Sequence, residues 1–273
     1  MMRALTGTLV LVGAGKMGGA MMDGWLKAGV EPSQIVALDP SPPPEIADLI
    51  KSRGIRHNVP VASIVDAEAI ILAVKPQLSD EVLPGIVALQ FSKPLFLSII
   101  AGKTIASFER HFGADAAIIR TIPNTPAAIG RGITAMAANR NVSAKQIALA
   151  EELLSSIGEV VKVEREAMID ACTAVSGSGP AYVFYLTECL AAAGEHVGLP
   201  ADLAMKLARA TVAGSGELMR QSGIDAAILR QNVTSPKGTT YAALQVLMAD
   251  DGMKPMFEKA IAAATKRAKE LAS

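Results

Sequence analysis

Few cysteines, few aromatic side chains and no excess of either charge characterise this 273-residue chain. Its two cysteines, Cys172 and Cys189, lie in helix-like sequence without the spacing of a metal or redox site, so we expect two buried free thiols in a reducing compartment. The 26 basic residues equal the 26 acidic ones, and like charges form no block. This balance argues against binding to nucleic acid or anionic membranes and indicates a small-molecule ligand.

Long hydrophobic runs are also missing, although hydrophobic residues make up 51% of the chain. No apolar stretch reaches the roughly 18 to 20 residues of a membrane helix. The apolar run at residues 9–12 ends in a glycine loop, and no signal-peptide cleavage segment follows it. We therefore expect a cytoplasmic protein. Because aromatic residues are only 4% of the chain, its core must be built from Ala, Val, Ile, Leu and Met.

Short apolar, β-branched runs alternate with helix-like sequence through the first half of the chain. Runs that are apolar throughout are typical of strands covered on both faces, so the pattern predicts a parallel sheet with crossover helices. The predicted strands are residues 8–12, 35–38, 69–74, 95–100, 117–121, 133–137 and 159–163.

After residue 164 the strand signal stops, and glycine and proline separate helix-like segments at 180–196, 201–221, 241–249 and 255–271. The sequence thus predicts an α/β protein with two domains: a doubly wound, Rossmann-like dinucleotide-binding domain at residues 1–164 and an all-helical domain at 165–273. The helical half carries little charge along its central helices. Its apolar surface exceeds what one copy covers, so we expect a dimer packed through these helices.

A full G-x-G-x-x-G motif, Gly13-Ala14-Gly15-Lys16-Met17-Gly18, directly follows the first predicted strand and opens a predicted helix. In this context the helix N-terminus offers amide donors and a partial positive charge to a pyrophosphate. The motif predicts a dinucleotide site, with a glycine turn that binds nothing as the alternative.

Asp39 stands at the end of the second predicted strand, where the acid that binds the adenosine ribose of NAD belongs. Its carboxylate would repel the 2′-phosphate of NADP, which favours NADH; a simple turn at residues 39–41 is an equally good interpretation. Lys75 and Ala101 follow two further strands, at the edge where open α/β sheets bind ligands. Lys75 is either a cofactor contact or a solvated loop cation.

Two segments in the second half carry glycine and hydroxyl groups directly before a helix. Residues 175–182 read as a flexible turn with Pro180 at the start of a long helix. In Val233-Thr234-Ser235-Pro236-Lys237-Gly238-Thr239-Thr240, the free N–H groups at the start of the following helix are suited to a carboxylate.

Taken in their order along the chain, these motifs resemble those of the pyrroline-5-carboxylate reductases, which catalyse the last step of proline synthesis. The resemblance covers nearly the whole chain and is most specific at residues 176–182 and 235–240. It implies hydride transfer from NADPH or NADH to the C=N bond of 1-pyrroline-5-carboxylate. It also implies a helical domain interlocked with its twin, with substrate between the cofactor and the paired helical domains. In this family, dimers often assemble into decamers.

Carried over by residue, the resemblance implies that Thr239 and Thr240 hold the carboxylate and ring nitrogen of the substrate, with Thr240 catalytic through its hydrogen bond to that nitrogen. Glu166, Ser235 and Gly238 complete the implied substrate site. No metal site is expected, because the histidines are scattered. The predicted cofactor contacts are Gly13, Ala14, Gly15, Lys16, Met17, Gly18, Asp39, Asn58, Ala73, Val74, Lys75, Ala101 and Asn232.

The chain departs from the family pattern at two positions. Lys237 stands where many members have glycine; a positive φ there would cost stability, and otherwise the cation helps to attract a carboxylate. Asp39 sits where members that prefer NADPH place neutral or basic residues.

Two other functions stay open. A β-hydroxyacid dehydrogenase has the same domain plan but needs a catalytic lysine on a helix with an asparagine one turn later, and the helical half has no such pair. A non-catalytic nicotinamide sensor would need the dinucleotide site but not the loop at 235–240.

Overall fold

The computed structural model describes residues 5–272. Within that range the strands form one eight-stranded sheet in the order β3-β2-β1-β4-β5-β6-β7-β8. The strands are β1 (Thr8–Val12), β2 (Ile35–Leu38), β3 (Arg56–His57), β4 (Ala67–Leu72), β5 (Leu95–Ser98), β6 (Ala117–Ile122), β7 (Gly132–Ala138) and β8 (Gly158–Lys162). The helices are α1 (Lys16–Lys27), α2 (Pro44–Arg53), α3 (Ser79–Val82), α4 (Ile105–Phe112), α5 (Ala144–Ser155), α6 (Met168–Cys172), α7 (Gly179–His196), α8 (Ala201–Ser222), α9 (Ala226–Asn232), α10 (Thr239–Leu247) and α11 (Met253–Ala272).

The sheet is doubly wound, because the alternate side chains of β1 enter two different hydrophobic cores. Leu9 and Leu11 pack in the core that contains Trp25. Val10 and Val12 pack in the core of the opposite face, which contains Phe96. Burial on both faces explains why the strand is apolar throughout, and it confirms the predicted fold class.

Two details of the sheet differ from the predicted all-parallel arrangement. Strand β7 runs antiparallel to β6, whereas the other neighbouring pairs are parallel. Residues 123–131 connect the two strands and are fewer than the dozen or so that a parallel crossover needs. Strand β3 was not predicted because two residues are too short to show a periodic pattern.

The chain divides into two compact units, one running to Gly177 and including residues from Ala264 onward, the other formed by Ser178–Ala263. The first unit extends past residue 164, where the strand signal ends, because helix α6 packs on β6 and β7. The segment at 175–182 is not the predicted flexible turn. Residues Thr173–Gly177 form a π-helical turn, in which the Thr173 and Ser176 hydroxyls donate hydrogen bonds to carbonyls one turn back.

The second unit is helical, as predicted. Helices α7 and α8 pack together and bury small residues, Ala191, Ala204 and Ala208. Large apolar side chains stay uncovered on the single chain; Phe184 is 62% exposed and Val246 is 72% exposed. The predicted surplus of apolar helix surface is therefore confirmed.

Smaller features of the helices correct the sequence interpretation. Helix α9 was not predicted; the Asp225 carboxylate begins it by accepting a hydrogen bond from the Ala227 N–H. Both cysteines are free, but on the single chain Cys172 is half-buried and Cys189 is exposed on α7, so a single chain does not bury the two thiols as expected. Among the described helices, none combines the length and apolar character that crossing a membrane takes.

Candidate active site

The glycine motif forms a tight turn between β1 and α1 at the carboxyl edge of the sheet. Gly13 has a φ of 92°, and a Cβ built on it would lie 2.7 Å from the carbonyl carbon of Ala73. Only glycine allows this backbone conformation and this approach to the chain leaving β4. The turn therefore brings the residues after β1 and β4 together, as the motif predicts.

Gly15 faces open space in front of α1. It is the N-cap residue of that helix, without a side-chain cap, and a Cβ built on it would meet nothing within 4 Å. Lys16 is exposed beside it. The first N–H groups of α1 have no acceptor within the helix, so the partial positive charge there faces open space and is suited to a pyrophosphate. The residues present thus suit a dinucleotide.

Asp39 ties the end of β2 to the glycine loop. Its Oδ2 accepts a hydrogen bond from the Ala14 N–H at 2.6 Å, and its Oδ1 accepts one from the Ser41 N–H at 2.8 Å. The two sequence interpretations of Asp39 are compatible, because one carboxylate both caps a turn and carries a negative charge beside the loop.

Asn58 holds the backbone of Asp39 in place. Its side-chain Nδ2 donates to the Asp39 carbonyl and its Oδ1 accepts from the Asp39 N–H, each at 2.9 Å. Asn58 itself has a φ of 49°. Both polar atoms of its side chain are engaged, so the structure shows a supporting role, and contact with a ribose stays a prediction.

The remaining predicted cofactor residues of the first unit lie at the same edge. Ala73 continues the β4 pairing, donating its N–H to the Val12 carbonyl at 2.8 Å. Val74 is half-buried, and Lys75 is exposed at the start of a 3₁₀ turn. Ala101 is exposed in the loop after β5. The structure therefore brings the predicted residues from β1, β2, β4 and β5 to one edge.

Glu166 belongs to a partly buried ion-pair cluster that was not predicted from the sequence. Arg120, on β6, is only 4% exposed. Its Nη1 lies 3.1 Å from Glu166 Oε1, and its Nη2 lies 2.8 Å from Asp170 Oδ1. A single arginine within an apolar strand was the available signal, since a buried guanidinium requires carboxylate partners.

The predicted substrate residues of the second unit surround the start of α10. Gly238 is the N-cap of this helix and has no side-chain cap; Thr239 and Thr240 are its first residues. Ser235 accepts a hydrogen bond from the Gly238 N–H through its carbonyl oxygen at 3.1 Å. Lys237 is exposed and has a φ of 60°. Asn232 ends α9 just before this loop.

The uncapped start of α10 is suited to an anion. The first N–H groups of a helix lack acceptors within it, and the helix dipole adds a partial positive charge. The hydroxyls of Thr239 and Thr240 add hydrogen-bond donors there, and Lys237 adds a cation. The loop can therefore hold a carboxylate and offer a hydroxyl to a neighbouring polar atom of the same ligand.

Comparison with known proteins gives a consistent result over the whole chain. Residues 166–271 match the family model for pyrroline-5-carboxylate reductase dimerisation, and residues 8–102 match the model for coenzyme F420-dependent NADP oxidoreductases. A pyrroline-5-carboxylate reductase of Pseudomonas aeruginosa is 37% identical over 98% of this chain and 97% of its own length. One from Synechocystis is 44% identical over 75% of each chain.

Solved structures agree. A pyrroline-5-carboxylate reductase from Coxiella burnetii superposes with a TM-score of 0.91 at 32% identity, covering 98% of this chain and 100% of the other. A pyrroline carboxylate reductase of Plasmodium falciparum with NADP bound superposes with a TM-score of 0.82 at 28% identity, covering 98% and 99% of the two chains.

Proposed function

Because the chain belongs to the pyrroline-5-carboxylate reductase family, we propose that it reduces the C=N bond of 1-pyrroline-5-carboxylate to give L-proline. It is an NAD(P)H-dependent oxidoreductase acting on a carbon–nitrogen bond. The observation that carries this proposal is the full-length similarity to the P. aeruginosa reductase, because it spans both the glycine loop and the loop at 235–240.

In the proposed reaction, the main task of the protein is to bind the substrate and the cofactor and to align them. When bound, the dihydronicotinamide supplies the hydride that adds to the imine carbon. The start of α10 binds the substrate carboxylate through backbone N–H groups and Thr239. The Thr240 hydroxyl donates a hydrogen bond to the ring nitrogen, which takes up a proton as the carbon accepts the hydride. Fixing the substrate at two points supplies most of the orientation that the transfer needs.

Charge near Asp39 supports NADH as the preferred cofactor. Residues 39–50 contain three acidic side chains, Asp39, Glu45 and Asp48, and no basic one. A 2′-phosphate placed there would meet repulsion from Asp39, and residues 39–50 offer no cation to pair with it. We therefore propose that NADH is used more efficiently than NADPH.

The chain forms homodimers, in keeping with the dimerisation family model and the exposed apolar helices. Assembly of the dimers into a decamer is proposed from the family resemblance, and light scattering tests it. A cytoplasmic location stays a prediction from the sequence.

The deciding experiment is an initial-rate assay with 1-pyrroline-5-carboxylate, following the loss of dihydronicotinamide absorbance with NADH and NADPH at equal low concentrations. Turnover supports the reductase, and a higher rate with NADH supports the role of Asp39. A folded protein that oxidises a 3-hydroxyacid instead would point to the hydroxyacid dehydrogenase alternative. Cofactor binding without any turnover would point to a sensor.

A further inference from the structure

Arg120 occupies a position that is costly for a charged side chain. It lies within β6 between Ile119 and Thr121 and is 4% exposed. Burial of a guanidinium is tolerated only where carboxylates and hydrogen bonds replace its hydration. Glu166 and Asp170 supply this replacement, each bound to a different terminal nitrogen. Arg120 therefore links Glu166 to Asp170.

The bridge reaches the loop that follows β5. Glu166 Oε1, which binds Arg120, also accepts a hydrogen bond from the Ile105 N–H at 2.8 Å. Ile105 is the first residue of α4, directly after the loop of residues 99–104. Asp170, on α6, anchors the other side of the guanidinium. Through Arg120 and Glu166, the end of this loop is fastened to β6 and α6 by charge-assisted hydrogen bonds.

The same loop is fastened along its length. The Ile100 N–H donates to Ser98 Oγ at 3.1 Å, and Lys103 Nζ lies 2.9 Å from Asp80 Oδ1. Gly102 has a φ of 75°, and a Cβ built on it would lie 2.9 Å from the Leu271 carbonyl oxygen. The loop lies at the carboxyl edge of the sheet, beside the chain leaving β4. The exposed Ala101 therefore lies between residues that make these contacts.

We propose that Arg120 is a positioning residue for the cofactor. It holds Glu166 against the start of α4 and so preorganises the loop of residues 99–104 for the bound dinucleotide. This inference rests on the proposed function, because that function places the cofactor at this edge. A preformed loop lowers the cost of ordering on binding, and small displacements of positioning groups have large kinetic effects.

The test compares Arg120→Gln and Arg120→Lys with Arg140→Gln, a matched change at an exposed arginine. Cofactor Kd is measured from the fluorescence of bound NADH without substrate, and KM is measured separately for cofactor and imine. Arg120→Gln should raise the cofactor Kd, measured without imine, by roughly 10-fold. The KM of the imine does not discriminate, because Glu166 also belongs to the implied substrate site. Arg120→Lys should recover part of the loss, because an ammonium keeps the charge but cannot bridge both carboxylates. Arg140→Gln should match the wild type.

A folded Arg120→Gln protein with wild-type cofactor Kd would overturn the proposal, whatever its KM for the imine. If Arg120→Gln fails to fold, Asp170→Asn replaces it as the test variant. This change weakens the ion pair between Asp170 and Arg120 and leaves Glu166 unchanged. A raised cofactor Kd then supports the proposal and an unchanged one overturns it. Wild-type turnover tests the proposed function separately, because the Kd measurement needs no reaction.

Discussion

The carboxylate of Asp39 accepts a hydrogen bond from the backbone N–H of Ala14, with 2.6 Å between Asp39 Oδ2 and the nitrogen. The acid at the end of β2 thus braces the glycine loop as well as setting the charge beside it. A variant that keeps the oxygen but loses the charge separates these two contributions.

Asp39→Asn is that variant. The amide oxygen can still accept from the Ala14 N–H, although the bond from the Ser41 N–H is lost, and the repulsion of a 2′-phosphate is removed. We expect the ratio of kcat/KM for NADPH to that for NADH to rise by about 10-fold, or about 1.4 kcal/mol. Initial rates with both cofactors measure the ratio. Asp115→Asn, at an exposed aspartate before β6 and so at the opposite edge of the sheet, should leave it unchanged.

Gly15→Ala should separate cofactor binding from folding. Gly15 has a φ of −69°, which alanine adopts, and its Cβ would enter open space. We expect a Tm close to that of the wild type but a cofactor Kd raised by 10-fold or more, because the methyl group occupies the space proposed for the pyrophosphate. Gly13→Ala, in contrast, should lower the Tm, because Gly13 has a φ of 92°, which alanine adopts only with strain. Wild-type cofactor affinity in Gly15→Ala would place the pyrophosphate elsewhere.

Thr240 can be tested by a pair of conservative changes. Thr240→Val keeps the shape and removes the hydroxyl, and we expect kcat/KM to fall by 10-fold or more, about 1.4 kcal/mol at the transition state. Thr240→Ser restores the hydroxyl and should recover most of the activity. Steady-state kinetics with 1-pyrroline-5-carboxylate provide the measurement. Equal activity of the valine and serine variants would remove the hydroxyl from the mechanism.

Lys237 adopts a backbone conformation that favours glycine, with a φ of 60°. Lys237→Gly should stabilise the protein by about 0.5–1 kcal/mol, since the relief of backbone strain exceeds the extra freedom of glycine in the unfolded chain. This corresponds to a rise in Tm of roughly 1–3 °C. Lys237→Ala is the control, because it removes the charge and keeps the strain. A similar rise in both variants at equal protein concentration would assign the effect to charge.

Asp80 introduces a pH dependence beside the loop of residues 99–104. Its hydrogen bond from Lys103, opposed by a desolvation effect and assisted by the charges of Lys103 and His111, lowers the pKa of this carboxyl below its usual value. A lowered folded-state pKa gives stability that is present above the unfolded pKa and lost as the pH falls through the folded one. The difference in Tm between wild type and Asp80→Asn should therefore shrink below about pH 4. A difference that persists unchanged into strong acid would show that the ion pair contributes nothing.

Much of the fold was readable because the decisive patterns are local. The bounds of β1 and β2 were predicted as observed, since an apolar run between turn residues marks a strand covered on both faces. The glycine motif specified a turn that only glycine can form. Helix α10 was predicted from its apolar sequence but begins two residues earlier, at Thr239, because its N-cap is a glycine without a side-chain signal.

The unpredicted features depend on partners that are distant in sequence. The direction of β7 depends on which strand it meets, and the π-helical turn at Thr173–Gly177 depends on how α6 continues. The role of Arg120 depends on Glu166 and Asp170, which lie more than forty residues away. No local pattern reports such pairings.

The sequence by itself determined the doubly wound sheet, the helical second half and the family. The periodicity of hydrophobic residues, the glycine turns and the helix starts all depend on residues that are close together in the sequence. Only the tertiary structure decided that Asp39 braces the glycine loop, that Lys237 is strained and that a buried arginine fastens the loop after β5. These features arise where separate segments meet, and their energies depend on distance, burial and backbone angle, which the order of residues does not state.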